Sequence, residues 1–208
     1  MAARRTGAVV DARFCSPQAT EFTLTKTKSW FRDFAITDAS GAAVMKVDAP
    51  AFTFVRRSHL IDAASRRPLV TTERSPALFT LGRRWEAFRG DTRDLLFTAV
   101  VQPWLFKISE VHVHLAGGDH SEERRPDLVV RLSSCGRECT VSRGRSDGGA
   151  AVATIKRTTG MLEDLAFAVS VSPGVDHAFV LALAVILEEI RQDGIQRGQH
   201  AAFFTARR

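Results

Sequence analysis

The hydrophobic pattern changes its period once along this chain. From Glu21 onward apolar residues recur at every second position, first at Phe22 and Leu24, then at Phe34 and Ile36. Such alternation marks half-buried strands. Asp38-Ala39-Ser40-Gly41 has turn composition, so Phe34–Val47 reads as a hairpin. A second hairpin follows, with Phe52–Ile61 running into Asp62–Arg67 and Pro68–Glu73 leading out. Arg84–Arg89 and Leu95–Val101 read as a strand pair around Gly90-Asp91, and Phe106–Leu115 as a strand with Val111, Val113 and Leu115 on one face. After the polar loop Gly117–Pro126, the segments Asp127–Ser133, Glu138–Ser142, Ala151–Arg157 and Leu165–Val171 complete the series. The pattern predicts about ten to twelve short strands. Residues 1–20 are mixed and carry Pro17, so they read as a loose tail with room for an edge strand.

Helical periodicity begins only at Asp176, in the stretch PGVDHAFVLALAVILEEI, residues 173–190. No polar residue stands between Ala178 and Leu187. Asp176 suits the N-cap position, where its carboxylate accepts from free backbone N–H groups, and Gly194 suits the C-terminal cap. A helix apolar on every face has to be buried on every face. It is shorter than the ~20 apolar residues of a membrane span, because charges resume at Glu188.

Strands and helix fit one geometry. A barrel of about eight strands is filled by its own side chains, and one of 16–18 leaves a channel. A barrel near twelve strands is too wide to fill itself, and one apolar helix fills it. Residues 177–193 span ~25 Å at the helical rise, close to the height of such a barrel. The predicted fold is a mainly β, closed antiparallel barrel of about twelve strands around a C-terminal helix. No linker divides the chain, so residues 1–208 read as a single domain.

Composition adds little to the fold and something to the surface. Of 208 residues, 25% are charged and 45% hydrophobic, ordinary values for a globular chain. The net charge of +6 favours acidic partners. Three widely split cysteines (Cys15, Cys135, Cys139) and no apolar leader after Arg4 and Arg5 point to free thiols in an intracellular compartment.

Several stretches together resemble the plant LURP-one-related family. They are FTLTKTKSWFRDFAITDASGAAVMKVD (22–48), HLIDAASRRPLVTTER (59–74), RRWEAFRG (83–90), RECTVSRG (137–144) and the terminal apolar stretch. The resemblance covers roughly residues 20–192 and is most specific at Trp85 with Phe88-Arg89-Gly90 and at the helix. It implies a tubby-like closed barrel around a helix, no transferable catalytic residues, and an association with plant defence like that of the family's namesake. Tubby proteins bind phosphoinositide head groups through basic residues. The resemblance therefore lends weight to an anionic-lipid site, with peripheral attachment at the plasma membrane.

The candidate anion ligands are Arg56, Arg57, Arg66, Arg67, Arg83, Arg84, Lys156 and Arg157, with Arg124 and Arg125 as a further pair. Guanidinium forks match phosphate, and several of these residues fall at strand ends or turns, where a barrel gathers its loops on a rim. The competing reading is an ordinary solvated surface on a protein-interaction module with an unknown partner. No nucleic acid is expected, because no aromatic platform is interleaved with the basic residues. His112 and His114 share a strand face beside Glu110, and Cys135 and Cys139 flank Gly136, but neither group has a second set of ligands, so no metal is expected. Cys139 is expected to face the interior with Val141. Trp30, Trp85 and Trp104 read as core or rim packing. No nucleophile elbow, phosphate loop or carboxylate pair appears. The expectation is a monomeric, non-enzymatic binding protein without a cofactor.

Overall fold

The computed structural model describes residues 8–27, 33–50, 56–75, 84–104, 107–117, 125–133, 137–144, 149–159 and 165–205. Twelve strands are present: β1 (Thr20–Lys26), β2 (Phe34–Asp38), β3 (Ala43–Asp48), β4 (Arg57–Asp62), β5 (Pro68–Arg74), β6 (Arg84–Arg89), β7 (Leu95–Trp104), β8 (Lys107–Leu115), β9 (Leu128–Leu132), β10 (Glu138–Arg143), β11 (Ala151–Thr159) and β12 (Leu165–Val171). One helix follows, α1 (His177–Thr205). Every strand pairs antiparallel with its neighbours in sequence, and β12 returns to pair with β1, Thr20 opposite Val171, which closes the barrel. Each strand that the alternation marks overlaps one of these twelve, and the helix occupies the apolar stretch; residues 52–55 and 106 of two predicted strands lie outside the described residues.

Period-two alternation builds the wall. Phe22 and Leu24 of β1, Phe34 and Ile36 of β2, Met45 and Val47 of β3, and Val111 and Val113 of β8 are buried, while the residues between them are more exposed. Five bulges, such as the register shift at Leu60/Ile61, add local twist and curvature. Two turns show how the sequence sets the connections. Asp38 accepts from the backbone N–H groups of Ser40 (2.9 Å) and Ala42 (3.0 Å), and Gly41 takes the left-handed φ of 84° that closes the hairpin. Gly90 has φ 52° and donates to the Leu69 carbonyl at 2.9 Å. A Cβ there would stand 3.2 Å from the Pro68 carbonyl oxygen, so glycine lets the β6–β7 turn lie down on β5.

The helix is the core. Ala178–Ile190 are all buried, against an interior ring that includes Leu24, Ile36, Val70, Ala87, Phe97 and Val130. Phe97 and Phe179 meet edge to face at 5.0 Å. Asp176 caps the helix as expected and accepts from the Phe179 N–H at 3.1 Å.

Two expectations are corrected. Residues 8–19 are not a loose tail. Val10 and Phe14 are buried, a short 3-10 turn covers Ala12–Phe14, and Cys15 bridges Asp176. The second oxygen of Asp176 accepts from the Val10 N–H at 2.7 Å, so one carboxylate caps the helix and ties the N-terminal segment across the barrel end. The guanidinium of Arg89 holds the Val10 carbonyl from the other side. The helix also does not end at Gly194 but runs on to Thr205. Glycine favours a helix end without enforcing one, because the backbone hydrogen bonds need no side chain.

Candidate functional site

The barrel has two unlike ends. One holds the N-terminus of α1, the 38–43, 62–68 and 89–95 turns and the N-terminal segment. The other holds the starts of β4, β6, β10 and β12, the ends of β1, β5, β9 and β11, and the helix past Ile190.

The predicted basic residues divide between these ends. Arg66 and Arg67 sit in the β4–β5 turn, beside the helix N-terminus. Arg66 is held at φ 56° by its N–H to the Asp62 carbonyl (2.9 Å), an unusual conformation for a residue with a Cβ. Arg56, Arg57, Arg84, Lys156 and Arg157 sit at the opposite end, about 17 Å away along β4. Arg83 and Arg124 lie outside the described residues. Within the second group, β4 and β11 stand on nearly opposite walls. The eight residues are therefore not one rim patch.

Most of that second group is already committed to carboxylates. Arg56 and Arg74 (3.0 Å) both reach Asp193 of the helix, which is buried. Arg57 pairs with Glu73, and Arg84 lies 3.2 Å from Glu86. Lys156 reaches Glu138 across the β10–β11 pair at a loose 3.6 Å with both side chains well exposed. Arg157 is exposed and has no carboxylate partner among the described residues. Directly opposite stands Arg137, exposed and equally unpaired among the described residues, whose carbonyl accepts from the Arg157 N–H at 2.8 Å. Arg137 was not singled out by the sequence, because strand pairing alone brings it to Arg157.

A buried polar network lies inside the same end. Glu189 accepts from Ser58 Oγ at 2.6 Å and from the Trp85 indole at 3.2 Å. Glu188, also buried, takes Arg191 Nε at 2.6 Å, and that pairing holds the guanidinium's pKa above its usual value.

An open cleft of about 350 Å³ occupies the outer face of β4 and β5, walled by the β6–β7 turn. Arg57, His59, Thr71, Glu73, Asp91 and Arg93 line it. Glu73 binds Arg57 through one oxygen and Arg93 through the other at 3.0 Å, and Arg93 also lies 5.4 Å over the Phe88 ring. His59 Nδ1 is 3.0 Å from Thr71 Oγ1 and 3.5 Å from Asp91 Oδ1. This trio is not a proton relay. Both partners meet the same ring nitrogen, whereas a relay needs one on each, and the Thr71 hydroxyl donates to the Gly90 carbonyl. Sequence reasoning missed the cleft, although Arg57, His59, Thr71 and Glu73 are outward positions of two recognised strands and Asp91 and Arg93 belong to a recognised turn.

The remaining candidates fall into structural roles. His112 Nε2 lies 3.3 Å from Glu110, whose other oxygen takes Arg131 at 3.1 Å, on the outer face of β8 and β9. Cys139 packs against the core as expected, and burial pushes its thiol up to about 11. Cys135 and Trp30 lie outside the described residues. Among the described residues no group of three His, Cys, Asp or Glu could hold a metal ion, and no helix is long and apolar enough to cross a membrane.

Comparison with known proteins agrees with this architecture. The model of the LURP-one-related family matches residues 20–188. Protein LURP-one-related 15 from Arabidopsis thaliana is 33% identical, over 90% of this chain and 87% of that one. Protein LURP1 from the same plant is 28% identical, over 89% and 91% respectively. An X-ray structure of an Arabidopsis thaliana protein superposes with a TM-score of 0.67 at 31% identity, covering 89% of this chain and 99% of that one. With a family match that runs from the first strand of the barrel into its central helix, this chain belongs to the LURP-one-related family.

Proposed function

We propose that the chain is a non-catalytic binding protein that docks on anionic phospholipid, a phosphoinositide head group included, through the β10–β11 end of its barrel. The observation that supports this is the pair Arg137 and Arg157, neither with a carboxylate partner among the described residues, with the loosely held Lys156 beside them. The Cα atoms of directly opposed strand residues stand about 5 Å apart, so the two guanidiniums are close enough to converge on one anion. Guanidinium forks suit phosphate oxygens at that spacing. Arg56, Arg57 and Arg84, each already facing a carboxylate, contribute less. The protein would then be intracellular and peripheral at the plasma membrane. An association with plant defence is carried over from the family.

Sedimentation with liposomes tests the reading. Vesicles containing phosphoinositide should pellet the protein, and those of neutral lipid should not. Each basic residue near an anionic surface contributes ~1 kcal/mol, so the triple variant Arg137→Ser, Lys156→Ser, Arg157→Ser should bind about a hundredfold more weakly. Salt should weaken binding too, because the attraction is screened over ~8–10 Å at physiological ionic strength. Arg66→Gly with Arg67→Ser, at the other end of the barrel, should change little. Equal pelleting on neutral lipid, or a triple variant that binds like the parent, would leave a protein-interaction module as the better reading.

A further inference from the structure

We infer that the cleft between the outer face of β4–β5 and the β6–β7 turn binds a small zwitterion, with its carboxylate at Arg57 and Arg93 and its ammonium at Asp91. This site shares Arg57 with the proposed lipid-binding end but stands on the wall nearly opposite Arg137, Lys156 and Arg157, and it goes beyond that function.

The charge layout carries the inference. At one end of the cleft two guanidiniums share the single carboxylate of Glu73, which leaves one positive charge in excess. Glu73 is nearly buried, so it stays fixed and holds both forks in place. Phe88 stacks under Arg93 and restrains it further. Each guanidinium has five N–H donors, and Glu73 takes only part of each set, so donors remain for a second carboxylate. The arrangement is preorganised, so little side-chain freedom is lost on binding.

At the other end stands a negative charge. Asp91 is 70% exposed and approaches His59 at 3.5 Å, with no cation paired to it among the described residues. The hydrogen-bond directions fix the imidazole. Thr71 gives its hydroxyl proton to the Gly90 carbonyl, so it can only accept from His59, and Nδ1 carries the ring proton. That N–H also faces one oxygen of Asp91, which fixes the carboxylate beside the ring and leaves its second oxygen to accept from an ammonium group.

Spacing narrows the ligand. Arg57 and His59 project from the same strand face two residues apart, so the two ends stand about 6.6 Å from each other. The cleft is formally neutral (Arg57 and Arg93 against Glu73 and Asp91), as is a zwitterion. An α-amino group lies too close to its carboxylate to reach both ends. An ω-amino acid such as δ-aminovalerate, whose charges stand about 6 Å apart when extended, reaches both. The cleft, about 350 Å³ and open to solvent, is roomy enough for a molecule of that size.

Titration calorimetry of the full chain with δ-aminovalerate, valerate and pentylamine tests this. Saturable binding of δ-aminovalerate is expected, with valerate and pentylamine each at least about tenfold weaker, since each loses one charged contact. Arg93→Gln and Asp91→Asn lie on the surface and should melt like the parent, yet each should weaken δ-aminovalerate by about tenfold, Arg93→Gln abolishing valerate binding and Asp91→Asn abolishing pentylamine binding. The lipid-binding variant at Arg137, Lys156 and Arg157 should bind δ-aminovalerate unchanged, so failure of one site is distinguishable from failure of the other. Absence of saturable heat with δ-aminovalerate, or equal binding of valerate and δ-aminovalerate, would overturn the inference.

Discussion

Glu189 of the central helix and Trp85 of β6 are hydrogen bonded at 3.2 Å, 104 residues apart in sequence. The carboxylate is 2% exposed, and its other oxygen takes Ser58 Oγ. Two wall strands thereby fix the rotation and depth of the helix through one side chain. Trp85→Phe keeps the ring and removes the donor, leaving a carboxylate oxygen unsatisfied. It should destabilise by ~1–3 kcal/mol, and combining it with Glu189→Gln should cost less than the sum of the two single changes. Chemical denaturation of the four proteins of this cycle measures the coupling, and strict additivity would mean that the two side chains act independently.

Leu183 is fully buried at mid-helix, with apolar wall on every side. Leu183→Asp places an unpaired charge there, at several kcal/mol against the ~5–15 kcal/mol of a typical domain. The variant should be insoluble or should lack a cooperative thermal transition. A soluble variant with the parent's melting curve would contradict the role of the helix as core.

Asp176 is buried and accepts from Val10, Asp11 and Phe179. Asp176→Ala removes the cap and orphans the N–H groups that it holds, for a loss of roughly 2–4 kcal/mol. Because the same carboxylate ties down residues 8–15, hydrogen exchange at Val10 and Asp11 should rise more than at β8. Uniform acceleration over the barrel would show that the N-terminal segment is not specifically anchored there.

His177 lies between Phe14 (5.2 Å) and Phe22 (4.8 Å). Burial lowers its pKa below the usual value, only partly opposed by the neighbouring Asp176 and by the Phe14 backbone. The unfolded chain then takes up a proton more readily than the folded one. Stability from this group is complete above about pH 6.5 and is lost as the pH falls from there through the folded value. The melting temperature should drop between pH 7.5 and 5.5, and less steeply in His177→Phe. Equal drops in the two proteins would assign the acid sensitivity elsewhere.

Cys139 packs against the core with its thiol pushed up to about 11. Thiolate is the reactive form, so Cys139 should resist maleimide at neutral pH until the protein unfolds. Mass spectrometry of native and unfolded samples reads this directly, and rapid native labelling would place the side chain outside the barrel.

The strands were legible because each alternates against a wall with one wet face, and Asp176 because a cap acts locally. The arginine surface was not. Arg56 meets Asp193 137 residues away, and Arg137 meets Arg157 only because β10 and β11 pair in one register. A run of charges in sequence does not reveal which of them the fold neutralises. The segment before β1 was illegible for another reason. Val10 and Phe14 are isolated apolar residues, and a single buried contact has no period to detect. Gly194 misled because a cap preference worth a fraction of a kcal/mol does not end a helix whose backbone bonds continue.

Closure of the barrel by β12 against β1 has a consequence for how this protein is made. The strand that seals the wall and the helix that fills it are synthesised after all the other strands of the barrel, β1 included. Until then each hairpin displays an apolar face with nothing to cover it, and the sealing contacts are among the most distant in sequence, which slows folding. The barrel cannot close over its core until β12 and the buried turns of α1 have both been made. A premature stop before α1 would leave this sheet without its core, a substrate for proteolysis.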